Sequence, residues 1–112
     1  MEIPHDAIDS HVFLADMVDD PYYPQFLVAK GQEILLDVCR TIESLQPKNL
    51  DELYTITHQA TEQFNDLDEE LSAHDSEIET VARENIASDM LFIANAFGFE
   101  ADIEELVAPR DW

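Results

Sequence analysis

The chain has 112 residues, with 26 Asp and Glu against 5 Lys and Arg, for a formal net charge of −21. That length supplies one modest core, and a field of that sign repels phosphate, which argues against nucleic acid and anionic membranes as direct partners. No apolar run reaches the roughly 20 residues that span a bilayer, and the opening MEIPHDAIDS lacks the basic-then-apolar order of a signal peptide, so a cytoplasmic protein is expected.

Composition narrows the fold class further. Hydrophobic residues make up 46% and are interleaved with charge, as in a chain that folds and buries one side of each element. Glycine occurs only at Gly31 and Gly98. Strand-and-turn architectures need many turn residues, so the expectation is an all-α domain over residues 1–112, an antiparallel bundle of three long helices closed by short ones.

A short helix is predicted over about 5–18, where Ile8, Val12, Leu14 and Met17 form an irregular apolar face, with residues 1–14 the least ordered part. It stops at DDPYYP, since Pro21 and Pro24 disfavour helix in the residues before them. Pro24 then opens a long helix over about 24–46, ended by Pro47. In it Leu27, Ile34, Val38, Ile42 and Leu45 share one stripe with Gly31. A helical glycine costs about 0.5 to 1 kcal/mol relative to alanine, so a ring or backbone is expected against it. Cys39 sits in apolar EILLDVCRTI and reads as a small core residue.

The second long helix is predicted over about 50–74. Asn49 is its N-cap and Glu52 completes a capping box, and Leu50, Leu53, Thr57, Ala60, Phe64, Leu67 and Leu71 alternate steps of three and four. The third, over about 77–97, starts at Ser76 with Glu79 as box partner. Ile78, Val81, Ala82, Ile86, Met90, Ile93 and Phe97 line its inner side, and MLFIANAFGF, apolar nearly all round, belongs at the centre, with Gly98 turning the chain beyond it. A final short helix over about 102–107 begins at Asp102 and ends before Pro109. Trp112 is expected to pack against the domain.

The acidic run FNDLDEELSAHDSEIETVARE is the most conspicuous local feature. Counting from Asp66, oxygen ligands fall at positions one, three, five, seven and twelve of a calcium loop, but Leu71 occupies the position that needs glycine and belongs to a helical seam. A solvated helix-turn-helix corner is the better reading. For a transition metal, His58 and Glu62 lie one helical turn apart, and Glu84 on the third long helix is the candidate to complete the set with Zn or Fe. The bland alternative is His58 hydrogen-bonded to Glu62 at the edge of the core. No nucleophile elbow or phosphate loop is present, and Cys39 has no histidine nearby in sequence. Arg83, Lys30 and Arg40, set among carboxylates, read as ion-pair bridges.

The segments DDPYYPQFLVAKGQEIL, LYTITHQATEQFNDL, SEIETVAREN and GFEADIEELVAPRDW resemble an uncharacterised bacterial family of small acidic helical proteins, a domain of unknown function, over about residues 15–112. The resemblance implies a compact all-helical domain in a bacterial cytoplasm and carries no activity, ligand or catalytic residue.

The acidity reads first as solubility, then as a face for a basic protein, then as adaptation to high salt. The residues point to a non-enzymatic module that binds another protein, a basic partner and self-association being its two variants; no cofactor is expected. Tyr22, Tyr23 and Phe26 form an aromatic cluster that reads first as a loop folded onto the core and otherwise as an interface, for which Asp66, Glu69 and Glu70 are the matching acidic surface. The competing reading is a metal-binding helical bundle, enzymatic in its fullest form, built on His58, Glu62 and Glu84.

Overall fold

The computed structural model describes residue 8 and residues 10–112. The beginning of the predicted 5–18 helix and part of the segment 1–14 lie outside the described residues. Five helices with bounded ranges follow: α1 (Ala15–Val18), α2 (Gln25–Leu45), α3 (Leu50–Ser72), α4 (Thr80–Ala96) and α5 (Ile103–Leu106), with no strand among the described residues.

α2 and α3 pack on each other more extensively than any other pair of helices. Lys30, early in α2, reaches Glu70, late in α3, with 2.6 Å between Nζ and Oε1, so the two form an antiparallel hairpin across the short connection at 46–49. Gln46 turns the chain with φ 50°, its N–H donating to Ile42 O at 2.8 Å. Asn49 caps α3 by accepting from Glu52 N–H at 2.9 Å, while Glu52 Oε1 accepts from Lys48 N–H at 3.0 Å. The reciprocal bond of the capping box thus falls one residue earlier than predicted.

The three long helices do not make a simple bundle. α4 packs mainly on the short helices α1 and α5, and less on α2. The reason lies in its sequence. Ala82, Ile86, Met90, Ile93 and Ala94 are buried, while Leu91 and Phe92 on other faces are partly covered, so α4 needs neighbours on several sides and collects the short elements around itself. Asn95 is exposed, so even this segment keeps one wet edge.

α3 is also covered on more than its predicted seam. Leu53, Thr57, Ala60, Phe64, Leu67 and Leu71 are buried as the periodicity requires, whereas Leu50 is 37% exposed at the helix start. Ile56 and Thr61 are buried as well, Ile56 on the side that faces Val38 and Thr41 of α2, and Thr61 where the C-terminal tail lies across the helix. Two further expectations for the stripes fail at helix ends, where Leu45 of α2 is 66% exposed and Val81 of α4 is 49% exposed.

The entry to α4 differs from its predicted form. The helix begins at Thr80 and not at 77, and its N-cap, Glu79, makes no side-chain capping bond. Ser76 is buried and caps nothing; Asp68 Oδ1 of α3 instead accepts the Ile78 N–H at 2.7 Å and pins the connection. Beyond α4, Gly98 adopts φ +86°, the left-handed turn expected there.

Candidate functional site

Three assemblies of polar side chains hold the chain ends and frame the surface. The first is centred on Asp89, 4% exposed on the inner side of α4. Its Oδ2 accepts the Leu14 N–H at 2.7 Å, and His11 Nε2 donates to its Oδ1 at 2.8 Å. The His11 ring stacks on Phe92 with centroids 4.0 Å apart and meets Phe13 edge-on at 5.0 Å. Gln32 Nε2 of α2 donates to Phe13 O at 2.9 Å, so the segment before α1 is tied to two long helices. Both carboxylate oxygens of Asp89 are thereby engaged in holding this segment.

The second assembly is a ladder on α3. Tyr54, His58, Thr61 and Asn65 recur at four, three and four residues and so share one face. Asp102 N–H donates to Tyr54 Oη at 3.1 Å, His58 Nε2 donates to Glu105 O at 2.7 Å, and Thr61 Oγ1 lies 3.4 Å from Leu106 O. Asn65 donates to Pro109 O at 3.1 Å and accepts from Asp111 N–H at 2.9 Å. At the end of the ladder, Trp112 packs edge-on against Phe64 with centroids 6.4 Å apart.

The third is an open cleft of about 760 Å³ where the α1–α2 turn, the end of α3, the start of α4 and the tail converge. Its walls are Asp20, Tyr22, Tyr23, Asp68, Glu77, Ile78, Glu79, Thr80, Val81, Arg83, Asp111 and Trp112. Asp20 Oδ1 accepts the Tyr22 N–H at 2.9 Å and fixes the aromatic turn, in which the Tyr22 and Tyr23 rings meet edge-on at 5.0 Å. Partial desolvation and then the charges of Glu79 and Glu77 push the Tyr22 hydroxyl above the ordinary phenol value. Burial, followed by Asp20 and Glu79, does the same for Tyr23. Two donors in this region, Arg83 Nε and Trp112 Nε1, are buried without a hydrogen-bond partner. Arg83 forms no ion pair among the described residues, contrary to the expectation that it bridges helices.

The residues singled out from sequence fall as follows. Tyr22 and Tyr23 line the cleft, Tyr22 being 40% exposed and Tyr23 only 3%. Phe26 is 59% exposed as the second residue of α2 and meets the His74 ring edge-on at 5.2 Å. Asp66, Glu69 and Glu70 are exposed on α3, outside the cleft, with Glu70 paired to Lys30. Residues 66–72 are helical, so the calcium-loop spacing is spent on α3. His58 faces Glu105 and stacks beside Tyr54 at 6.1 Å, in place of the expected bond to Glu62. Glu62 and Glu84 are exposed, and no three His, Cys, Asp or Glu side chains among the described residues come together as a metal-holding group. Lys30 and Arg40 do form ion pairs, the latter with Glu33 and Asp37.

Sequence reasoning missed Asp20, Glu77, Glu79, Arg83 and Asp111 as neighbours. They come from three separate segments, which the Asp89 and Asn85 bonds to the α1 region, the Asp68 bond and the tail ladder bring together. The available signal was the aromatic turn PYYP beside a C-terminal tryptophan, two large apolar groups that had to find cover. Among the described residues, no helix is long and apolar enough to cross a membrane.

No curated protein and no solved structure matches the chain. The profile of a family described as a family of unknown function (DUF5713) matches residues 7–112, which extends the resemblance read from residue 15 onward to the segment that Asp89 holds. The chain belongs to this family of unknown function.

Proposed function

We propose that this chain is a bacterial, cytoplasmic, single-domain binding protein without enzymatic activity, and that its partner is a basic protein. The observation that carries the reading is the cleft, where Asp20, Asp68, Glu77, Glu79 and Asp111 stand around the part-exposed Tyr22 ring, with Tyr23 and Trp112 buried in the wall behind it. Carboxylates beside aromatic faces suit a guanidinium or ammonium group, which gains from both the charges and the ring quadrupoles. The excess of 26 acidic over 5 basic residues adds a long-range field that speeds encounter with a cationic partner. Tyr22, Phe26 and Val81, exposed at 40%, 59% and 49%, supply apolar contact near the same end of the molecule.

The test is affinity capture from a host cell extract at two ionic strengths, with the retained proteins identified. Screening shortens from about 8 Å at 0.15 M salt to about 3 Å at 1 M. Basic proteins are expected to be retained at the lower salt and released at the higher. A retained set that is not basic, or that survives 1 M salt unchanged, contradicts the proposal.

A further inference from the structure

We infer that the cleft between the PYYP turn, the start of α4 and the C-terminal tail accepts an extended arginine-bearing peptide segment, which it reads through both its charge and its main chain. The inference rests on the proposed basic partner and deepens it by assigning the site and the chemistry of the occupant. Two independent observations combine. The rim carries Glu77 and Glu79, neither of which forms an ion pair or hydrogen bond through its side chain among the described residues, next to the half-exposed Tyr22 ring. The walls carry two buried donors without acceptors, Arg83 Nε and Trp112 Nε1, the latter on a side chain only 9% exposed.

A buried donor left unpaired loses its hydration without compensation, so a ligand that brings acceptors gains at these positions. A bare polyamine has cationic groups and nothing for the donors. A peptide has both: its guanidinium lies between the Tyr22 ring and the Glu77 and Glu79 carboxylates, which match its planar fork, and a small outward turn of the Arg83 and Trp112 side chains, whose donors lie just beneath the wall, brings them to its carbonyl oxygens. The cleft volume of about 760 Å³ suits a few residues of extended chain and is small for a helix about 10 Å across.

Trp112 is the one tryptophan of the chain, so its fluorescence reports on the cleft directly. The probes are a short arginine–glycine peptide, the same peptide with citrulline in place of arginine, and a linear polyamine of equal charge. The arginine peptide is expected to shift Trp112 emission and to bind at least about tenfold tighter than either control at about 0.15 M salt. The double variant Glu77→Gln/Glu79→Gln is expected to weaken it about fivefold or more. The variant Glu43→Gln/Asp51→Asn, which removes the same charge at the far end of the α2–α3 hairpin, is expected to change it less than about twofold. Equal losses in the two double variants, or equal binding of the polyamine, overturn the cleft assignment while leaving a charge-driven basic partner standing. Failure of the unaltered chain to bind either cationic probe overturns both.

Discussion

The carboxylate of Asp89 accepts the backbone N–H of Leu14 at 2.7 Å, joining positions 75 residues apart. Leu14 is fully buried in a left-handed conformation with φ 57°, which costs a branched residue roughly 1 to 2 kcal/mol and persists only because its surroundings enforce it. Removing the acceptor strands a buried N–H and leaves His11 without its partner. Asp89→Ala is therefore expected to lower stability by about 3 kcal/mol, a fall of roughly 10 to 15 °C in Tm. Asp89→Asn, which keeps an acceptor oxygen, should cost about half as much. Thermal unfolding of the two variants checks this; an alanine variant within about 0.5 kcal/mol of the parent would remove Asp89 from its role.

Gly31 shows the close approach from the other side. A Cβ at this position would lie 2.7 Å from Leu14 Cδ1 and 3.3 Å from both Leu67 Cδ2 and Phe64 Cε1. Overpacking of this kind costs about 1 to 3 kcal/mol, against a helix-propensity gain of up to about 1 kcal/mol. Gly31→Ala should destabilise the protein by about 1 kcal/mol in denaturant titration, and the same change should be neutral or stabilising in a Leu14→Ala background. Strict additivity of the two substitutions would show that the predicted clash is absent.

The two effects mark where sequence reading succeeds and where it stops. Pro24, Asn49, Asp102 and Gly98 act locally, and the helix ends they imply lie within a few residues of those observed. The glycine in the α2 stripe correctly implied a bulky neighbour, but nothing local named Leu14, which arrives from a different segment. Ser76 and Glu79 satisfy the capping-box pattern, yet Asp68 takes over the pinning of the connection and α4 starts later. His58 carried the same chemistry in either reading, as metal ligand or hydrogen-bond donor, and only the course of the tail decides that it faces Glu105. The cleft was illegible because its carboxylates become neighbours only after the α1–α2 turn, the end of α3, the start of α4 and the tail meet.

The ladder on α3 predicts a separable unfolding event at the C-terminus. Asn65→Ala removes the bonds to Pro109 and Asp111, while Phe64 and the hairpin core remain. Amide hydrogen exchange over residues 109–112 should accelerate at least about tenfold, with a global stability loss of about 1 kcal/mol. Unchanged exchange in the tail would mean that Trp112 packing alone holds it.

Burial pushes the Cys39 thiol up to about 11, with the nearby Arg40 charge offsetting only part of the effect. The folded state therefore binds this proton more tightly than the unfolded chain does. Its contribution to stability is complete below the ordinary value of 9.0 and is lost as pH rises toward about 11. Tyr22 and Tyr23, also raised, act in the same direction. Denaturant titrations from pH 8 to 11 should show falling stability, with a shallower fall in Cys39→Ala. A thiol reagent at pH 8 should react about a hundredfold more slowly than with the unfolded chain; rapid labelling of the folded protein would contradict the buried placement.

The most direct measurement is a titration of isotope-labelled protein with the arginine–glycine peptide, followed by amide and indole NMR shifts. The account predicts saturable changes concentrated at residues 20–23, 77–83 and 111–112, including the Trp112 indole N–H. Shifts spread evenly over the exposed acidic residues of α2 and α3, with the indole unmoved, would contradict it.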